Sequence, residues 1–313
     1  MKRILIIGGI VLGIISIAAV AYIFGTHNSS SAKSNTAAQY PLLAKRLFVD
    51  NPNDTFVNFV ELRKQLNSYF SNNNISGSLY FEYLPTGTSI RIDGDKQQVG
   101  ASLLKVPAAM ELYKAAELGK IDLDQTVTIQ QDWLDDAYGD LYKKGAGYQL
   151  TLREAAKIML ENSDNTALNV ISYYTQNLLS DDQTPISALD LDITVDENNN
   201  YTIAIGTRDY SSVLKCLYFS CYLNNAHSQE LLNYLSNTKF DSRLKAGISD
   251  RSLTVAHKIG NFAQDTQSDC GIVYVPNRNY ILCAMIKGPD NTQIDAKIAA
   301  LSKLAYDFVT SQK

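Results

Sequence analysis

Three short motifs, each carrying side chains that serve in acyl transfer, follow one another along the chain. A serine hydroxyl is a weak nucleophile at neutral pH unless a neighbouring group removes its proton, and a lysine can act as that base when burial or nearby positive charge lowers its pKa. Each motif alone occurs by chance in helices, turns and strand ends, but the ordered set predicts a serine acyl-transfer site. The motifs are Ser102-Leu103-Leu104-Lys105, Ser163-Asp164-Asn165 and Lys258-Ile259-Gly260.

Four side chains of these motifs are the predicted catalytic groups: Ser102, Lys105, Ser163 and Lys258. On a helix, residues three apart share a face, so Lys105 is expected beside the Ser102 hydroxyl as the base for acylation. Ser163 is expected to relay a proton between that lysine and the leaving group. Lys258 would supply positive charge, which lowers the pKa of Lys105 and pairs with a substrate carboxylate.

Three further residues are predicted to bind the substrate. Asn165 can hydrogen-bond a substrate amide carbonyl, and Gly260 lets a substrate lie close to the backbone. The backbone N–H of Asn261, together with that of Ser102, would form an oxyanion hole. Asp164 is expected to brace its loop rather than react.

The motif set resembles that of the class A β-lactamase and penicillin-binding protein superfamily. The similarity extends to Leu150-Thr151-Leu152-Arg153-Glu154 before the second motif and to Thr207-Arg208-Asp209-Tyr210 after it. It covers the chain from about Tyr40 to Lys313. The resemblance implies a covalent acyl-enzyme on Ser102, formed from a β-lactam or a D-Ala-D-Ala peptide.

The chain departs from the family pattern at two places. Class A β-lactamases carry an omega-loop glutamate that activates the deacylating water, and no matching Glu-x-x-Leu-Asn stands between Asn165 and Thr207. Alternation on both sides of a polar turn there predicts a hairpin with Glu197 at its tip, so neither Glu197 nor Asp192 is assigned as the base. Ile259 replaces a threonine or serine, which removes a hydrogen bond of about 1 kcal/mol or more to the substrate carboxylate.

Three functions are therefore weighed. The leading hypothesis is a membrane-anchored extracytoplasmic serine hydrolase that acylates Ser102 with a β-lactam and hydrolyses the acyl-enzyme. The second is a D,D-peptidase or transpeptidase-like enzyme that acts on peptidoglycan stem peptides and deacylates β-lactams slowly. The third is a non-catalytic binding module of the same fold, against which the intact motifs argue.

The motifs must be positioned by helices and strands that hydrophobic periodicity predicts. Strand-like runs stand near both ends with helices between them, which predicts α+β organisation with a sheet built from distant segments. The resemblance implies a β-lactamase/transpeptidase-like fold, with an antiparallel sheet flanked by helices and an inserted all-helical subdomain. Thr151 and Glu154 form a predicted capping box. The predicted helices span about Phe56–Phe70, Ser102–Leu118, Leu152–Glu161, Thr166–Tyr174 and Ile294–Phe308, and the predicted strands span Ser78–Tyr83, Ser89–Ile92, Leu253–Lys258, Gly271–Val275 and Tyr280–Lys287.

The N-terminus predicts one transmembrane helix before the catalytic domain. Lys2 and Arg3 precede an uncharged apolar run to Gly25, which is long enough to cross a bilayer and places the body outside the cytoplasm. Cleavage after Ala19-Val20-Ala21 is the alternative, and would give a secreted protein. We predict an anchor over 1–25, a flexible linker over 26–39 and the serine hydrolase domain over 40–313.

Composition bounds the remaining possibilities. The 313 residues are 45% hydrophobic, as in an ordinary globular protein. Their formal net charge of -4 does not indicate binding to nucleic acid. Three scattered histidines and the lack of a Cys-x-x-Cys pair predict no metal site, and no cofactor is expected. For Cys216, Cys221, Cys270 and Cys283, buried free thiols are favoured over a disulfide framework, although Cys270 and Cys283 could face each other across a hairpin.

Overall fold

The computed structural model describes residues 57–196, 202–262 and 266–312. The predicted anchor, the linker and Glu197 lie outside these residues. Within them, no helix combines the length and the apolar character that crossing a bilayer requires.

The described residues form ten strands and eight α-helices. The strands are β1 Ser76–Tyr83, β2 Thr88–Ile92, β3 Gln98–Val99, β4 Thr126–Thr128, β5 Gln149–Thr151, β6 Ile193–Asp196, β7 Thr202–Ile205, β8 Val255–Phe262, β9 Thr266–Val273 and β10 Tyr280–Lys287. The helices are α1 Val60–Asn72, α2 Lys105–Glu117, α3 Leu152–Asn162, α4 Asn165–Thr175, α5 Pro185–Ala188, α6 Thr207–Phe219, α7 Asn225–Ser236 and α8 Asn291–Ser311.

The central sheet has the order β2-β1-β10-β9-β8, and each neighbouring pair is antiparallel. Its middle strand β10 is apolar on both faces because the sheet is covered on both sides. Alternate residues such as Leu282 and Ala284 pack with α1 and α8, while Ile281 and Met285 pack toward the helical region between β2 and β8. This is the α+β architecture that the sequence predicts, with helices inserted between strands of one sheet.

The two strands that the sequence predicts on either side of the polar residues after α5 pair with each other. Strands β6 and β7 are antiparallel, with Ile193 opposite Ile205, and β3 joins the other side of β7. Asp192 is exposed just before β6, and its carbonyl accepts a hydrogen bond from the Gln97 side chain at 3.0 Å.

All four cysteines are joined in disulfides, so the expectation of free thiols is wrong. Cys270 on β9 lies directly opposite Cys283 on β10, which allows a cross-strand bridge. Cys216 lies on α6, whereas Cys221 lies beyond its end. Helix α6 ends at Phe219, and Ser220 takes a left-handed φ of 53°, which turns Cys221 back so that its N–H bonds to the Cys216 carbonyl.

Candidate active site

Ser102 lies in a tight 3₁₀ turn, Ala101–Leu104, directly before α2 rather than inside a longer helix as predicted. Ala101 has a φ of 45°, an unfavourable backbone conformation for a residue with a Cβ, and strain of this kind clusters at functional sites. Lys105 opens α2, and Pro107 is tolerated because it falls in the first helical turn. The turn leaves Ser102 partly exposed while Lys105 is buried.

Lys105 is surrounded by oxygen atoms of the first and second motifs. Its Nζ donates to Ser102 Oγ at 3.2 Å, to the Ser163 carbonyl at 2.6 Å, to Ser163 Oγ at 3.4 Å and to Asn165 Oδ1 at 2.6 Å. Burial lowers the pKa of Lys105 to about 8, although the carboxylates of Asp164 and Asp135 act in the raising direction. The ammonium can therefore lose its proton near neutral pH, as a general base must.

The second motif connects two helices, as predicted, and each residue has a local structural cause. Ser163 ends α3 in a left-handed conformation, and Asp164 begins α4 by accepting the Ala167 N–H at 2.9 Å. The other Asp164 oxygen accepts the backbone N–H groups of Asp140 and Leu141, each at 2.8 Å. Asp164 thus braces the neighbouring loop, which is its predicted role.

That loop approaches the second motif closely. Gly139 has a φ of 94°, and a Cβ at this position would lie 2.1 Å from an Asp164 carboxylate oxygen. Glycine is needed here for both its conformation and its lack of a side chain.

Lys258 projects from β8, which is the edge strand of the central sheet, toward the second motif. Its Nζ donates to Ser163 Oγ at 2.8 Å and to the Ile259 carbonyl at 3.0 Å. Burial, reinforced by the positive charges of Lys105 and Arg243 and opposed by Asp269, holds the pKa of Lys258 well below its ordinary value. The Ser163 hydroxyl therefore lies between two lysine amines, where a proton can pass from one to the other.

Gly260 allows β8 to pack on the turn that carries the serine. A Cβ there would lie 2.4 Å from Ser268 Oγ and 3.0 Å from the Gly100 carbonyl, so a side chain would push the strand away from the turn. Packing of β8 on the turn is thus a second reason for glycine at this position, in addition to the predicted need for space for a substrate.

Asn261 follows Gly260, and its side chain reaches Tyr138. Its Nδ2 donates to the Tyr138 hydroxyl at 3.2 Å, while its buried Oδ1 has no hydrogen-bond partner among the described residues. Tyr138 is in turn tied to the second motif, since its carbonyl accepts the Asn165 N–H at 2.9 Å. Tyr138 thus links Asn261 on β8 to Asn165 at the start of α4.

The structure brings together every predicted site residue: Ser102, Lys105, Ser163, Asn165, Lys258, Gly260 and Asn261. Their catalytic and binding roles remain predictions drawn from this geometry. Among the described residues no carboxylate, that of Asp192 included, hydrogen-bonds to Ser102 or Lys105.

Sequence reasoning missed three residues of this region, namely Asp135, Tyr138 and Arg243. Asp135 accepts from Asn165 Nδ2 at 3.2 Å. The buried Arg243 donates to the Gly260 carbonyl at 3.2 Å and to the Ser268 carbonyl at 2.8 Å, and is also paired with Asp295 on α8. None of the three belongs to a motif, and their neighbours in sequence are ordinary loop residues, so the sequence held no signal for them.

Comparison with known proteins agrees with this geometry. The model of the β-lactamase enzyme family matches residues 61–309. Over 234 residues the chain is 20% identical to the β-lactamase PSE-4 of Pseudomonas aeruginosa, which covers 70% of this chain and 80% of that protein. Among solved structures, PBP-A superposes with a TM-score of 0.71 at 25% identity, covering 79% of this chain and 95% of PBP-A.

A variant of PBP-A has also been solved as its acyl-enzyme with penicillin G, and it superposes with the same TM-score of 0.71 at 26% identity. The family match spans most of the chain and includes all three motifs. This chain therefore belongs to the β-lactamase enzyme family of serine hydrolases.

Proposed function

We propose that the chain is a membrane-anchored extracytoplasmic serine hydrolase, whose Ser102 is acylated by β-lactams and released by hydrolysis. The observation that carries the proposal is the continuous hydrogen-bonded path from Ser102 through Lys105 to Ser163 and Lys258. The similarity to β-lactamases and to PBP-A supports the substrate class.

Acylation begins with proton transfer from Ser102 Oγ to neutral Lys105 Nζ, 3.2 Å away. The oxygen attacks the amide carbonyl of the β-lactam, and the N–H groups of Ser102 and Asn261 stabilise the developing oxyanion. Ser163 then gives its proton to the leaving nitrogen and regains one from Lys105, 3.4 Å away. The carbonyl–nitrogen bond breaks, and the proton taken from Ser102 is balanced by the one received by the leaving group.

A second candidate is a D,D-peptidase or transpeptidase-like enzyme. β-Lactams acylate such an enzyme, and the acyl-enzyme is then hydrolysed slowly. Its support is the lack, among the described residues, of a carboxylate that hydrogen-bonds to Ser102 or Lys105, together with the similarity to PBP-A. Deacylation needs a group that activates water, and without one the acyl-enzyme accumulates.

Intact mass spectrometry of residues 35–313 mixed with benzylpenicillin tests both candidates, with Ser102→Ala as the matched control. A transient adduct accompanied by hydrolysed penicillin is the expected result for the β-lactamase. A persistent adduct that Ser102→Ala lacks would favour the peptidase-like enzyme instead. No adduct at any time would refute recognition of penicillin by this site.

A further inference from the structure

Asp135 is held rigidly beside the residue proposed to bind the substrate amide. Its Oδ1 accepts from Asn165 Nδ2 at 3.2 Å and from the Ala137 N–H at 2.8 Å. Its backbone is fixed as well, since its N–H donates to Thr166 Oγ1 at 2.9 Å and its carbonyl accepts from the same hydroxyl at 3.2 Å. The carboxylate is thus partly exposed and fixed at the Asn165 side of the cleft.

The charge of Asp135 is not neutralised by a neighbouring cation. In the part of the chain that the structure describes, no lysine or arginine forms an ion pair with it, whereas Asp140 in the same loop pairs with Lys143 at 2.5 Å and with Lys239 at 3.9 Å. The negative charge also acts on Lys105, whose pKa it raises against the effect of burial.

The opposite side of the site carries two basic residues. Lys258 projects from β8, and the guanidinium of Arg243 lies against the carbonyl of Gly260 on the same strand. A β-lactam or peptide carboxylate directed to Lys258 therefore leaves the amide and side chain of the acyl group at Asn165, next to Asp135. The acyl side of the substrate therefore lies next to the Asp135 carboxylate.

We propose that Asp135 is a specificity-determining residue, which selects acyl donors that carry an ammonium group on the acyl side over donors that carry a carboxylate there. This inference rests on the proposed function. Among β-lactams the favoured class is the aminopenicillins. Among stem peptides it is those with an amine-bearing side chain next to the residue that is transferred to Ser102.

Three penicillins that differ at one carbon of the side chain provide the test: ampicillin with an ammonium group, carbenicillin with a carboxylate, and benzylpenicillin with neither. Second-order rate constants for acylation are measured at about pH 7, where an α-amino group is still largely protonated. Asp135→Asn keeps an oxygen acceptor for Asn165 and removes the charge. We expect the ampicillin-to-carbenicillin rate ratio to fall about tenfold in this variant, as a single charge acting across a solvated cleft would produce.

Asp250→Asn is the matched control, because it removes the same charge from an exposed loop before β8 and should leave the ratio unchanged. The wild-type ratio should also fall as salt is raised, since salt screens exposed charges, and this measurement needs no variant. A ratio that neither Asp135→Asn nor salt changes, while benzylpenicillin still acylates Ser102, would overturn this inference alone. Failure of all three penicillins to acylate would overturn the proposed function and the inference with it.

Discussion

The protonation state of a single side chain, Lys105, controls the chemistry proposed for this site. Its amine contacts the nucleophile, the proton relay and the amide-binding residue at the same time. Burial lowers its pKa to about 8, which leaves about one tenth of the lysine neutral at pH 7. That fraction is small, but it is far larger than an exposed lysine would provide.

The acylation rate is therefore expected to rise about tenfold per pH unit below pH 8 and to level off above it. The sign follows from the lowered pKa, because the neutral base accumulates as pH rises toward that value. Stopped-flow acylation by benzylpenicillin between about pH 5.5 and pH 9 measures this profile. Lys105→Arg keeps the charge but cannot deprotonate, and should lose at least about a hundredfold in rate.

Lys143→Arg is the control for that substitution, since Lys143 is exposed and pairs with Asp140 outside the proton path. It should keep the wild-type rate and pH profile. An acylation rate that does not depend on pH, or normal acylation by Lys105→Arg, would exclude Lys105 as the base.

The site residues that could be predicted from sequence are those that belong to a short motif. Ser102 and Lys105 are near neighbours in the chain, so their contact follows from helical geometry. Asp135 and Arg243 could not be predicted in this way, because each contacts a segment that is distant in sequence. Nothing in the immediate sequence of either residue specifies that partner.

At the level of elements, strand β9 links the site to the centre of the sheet. Lys258 on β8 lies opposite Cys270 on β9, and Cys270 is bridged to Cys283 on β10. All three side chains are buried. The covalent bridge thus fixes the strand on which Lys258 depends for its position.

Removing this bridge as Cys270→Ala/Cys283→Ala is expected to lower the free energy of unfolding by about 3 kcal/mol, from the length of the loop that it closes. It should also slow acylation several-fold, because the support beside Lys258 is lost. Denaturant unfolding and the benzylpenicillin acylation rate measure the two effects.

Cys216→Ala/Cys221→Ala is the matched control, since it removes a bridge that closes a shorter loop at the end of α6. It should cost about 2 kcal/mol of unfolding free energy and leave the acylation rate unchanged. Equal effects of the two double variants on acylation would show that the Cys270–Cys283 bridge serves stability alone.

Elements defined by local patterns were predictable, and the chain reversal after α6 was not. The Thr151–Glu154 capping box is present as predicted, with hydrogen bonds of 2.8 and 3.1 Å, because both partners lie within one helical turn. The Cys216–Cys221 pairing was missed because it depends on the left-handed conformation of Ser220, which ends α6 at Phe219.

At the level of the whole molecule, the N-terminal apolar run predicts where the enzyme acts. We expect the full-length chain to remain in the membrane fraction after a high-pH wash, whereas a chain that begins at Tyr40 should be soluble. Fractionation followed by intact mass measurement checks this expectation. A soluble product whose mass lacks the residues up to Ala21 would establish a cleaved signal peptide in place of the anchor.

The pairing of β1 with β10 joins the start of the described domain to its end, from Ser76 opposite Lys287 to Tyr83 opposite Tyr280. During synthesis β1 leaves the ribosome long before its neighbour exists, so the sheet cannot close until the C-terminal strands follow. Such high contact order slows folding and postpones it until nearly the whole domain has been made. Lys258 belongs to the same C-terminal segment. A nascent chain therefore carries Ser102 before Lys258 is in place to complete the site. The fold thereby keeps the nucleophile latent until translation is almost finished.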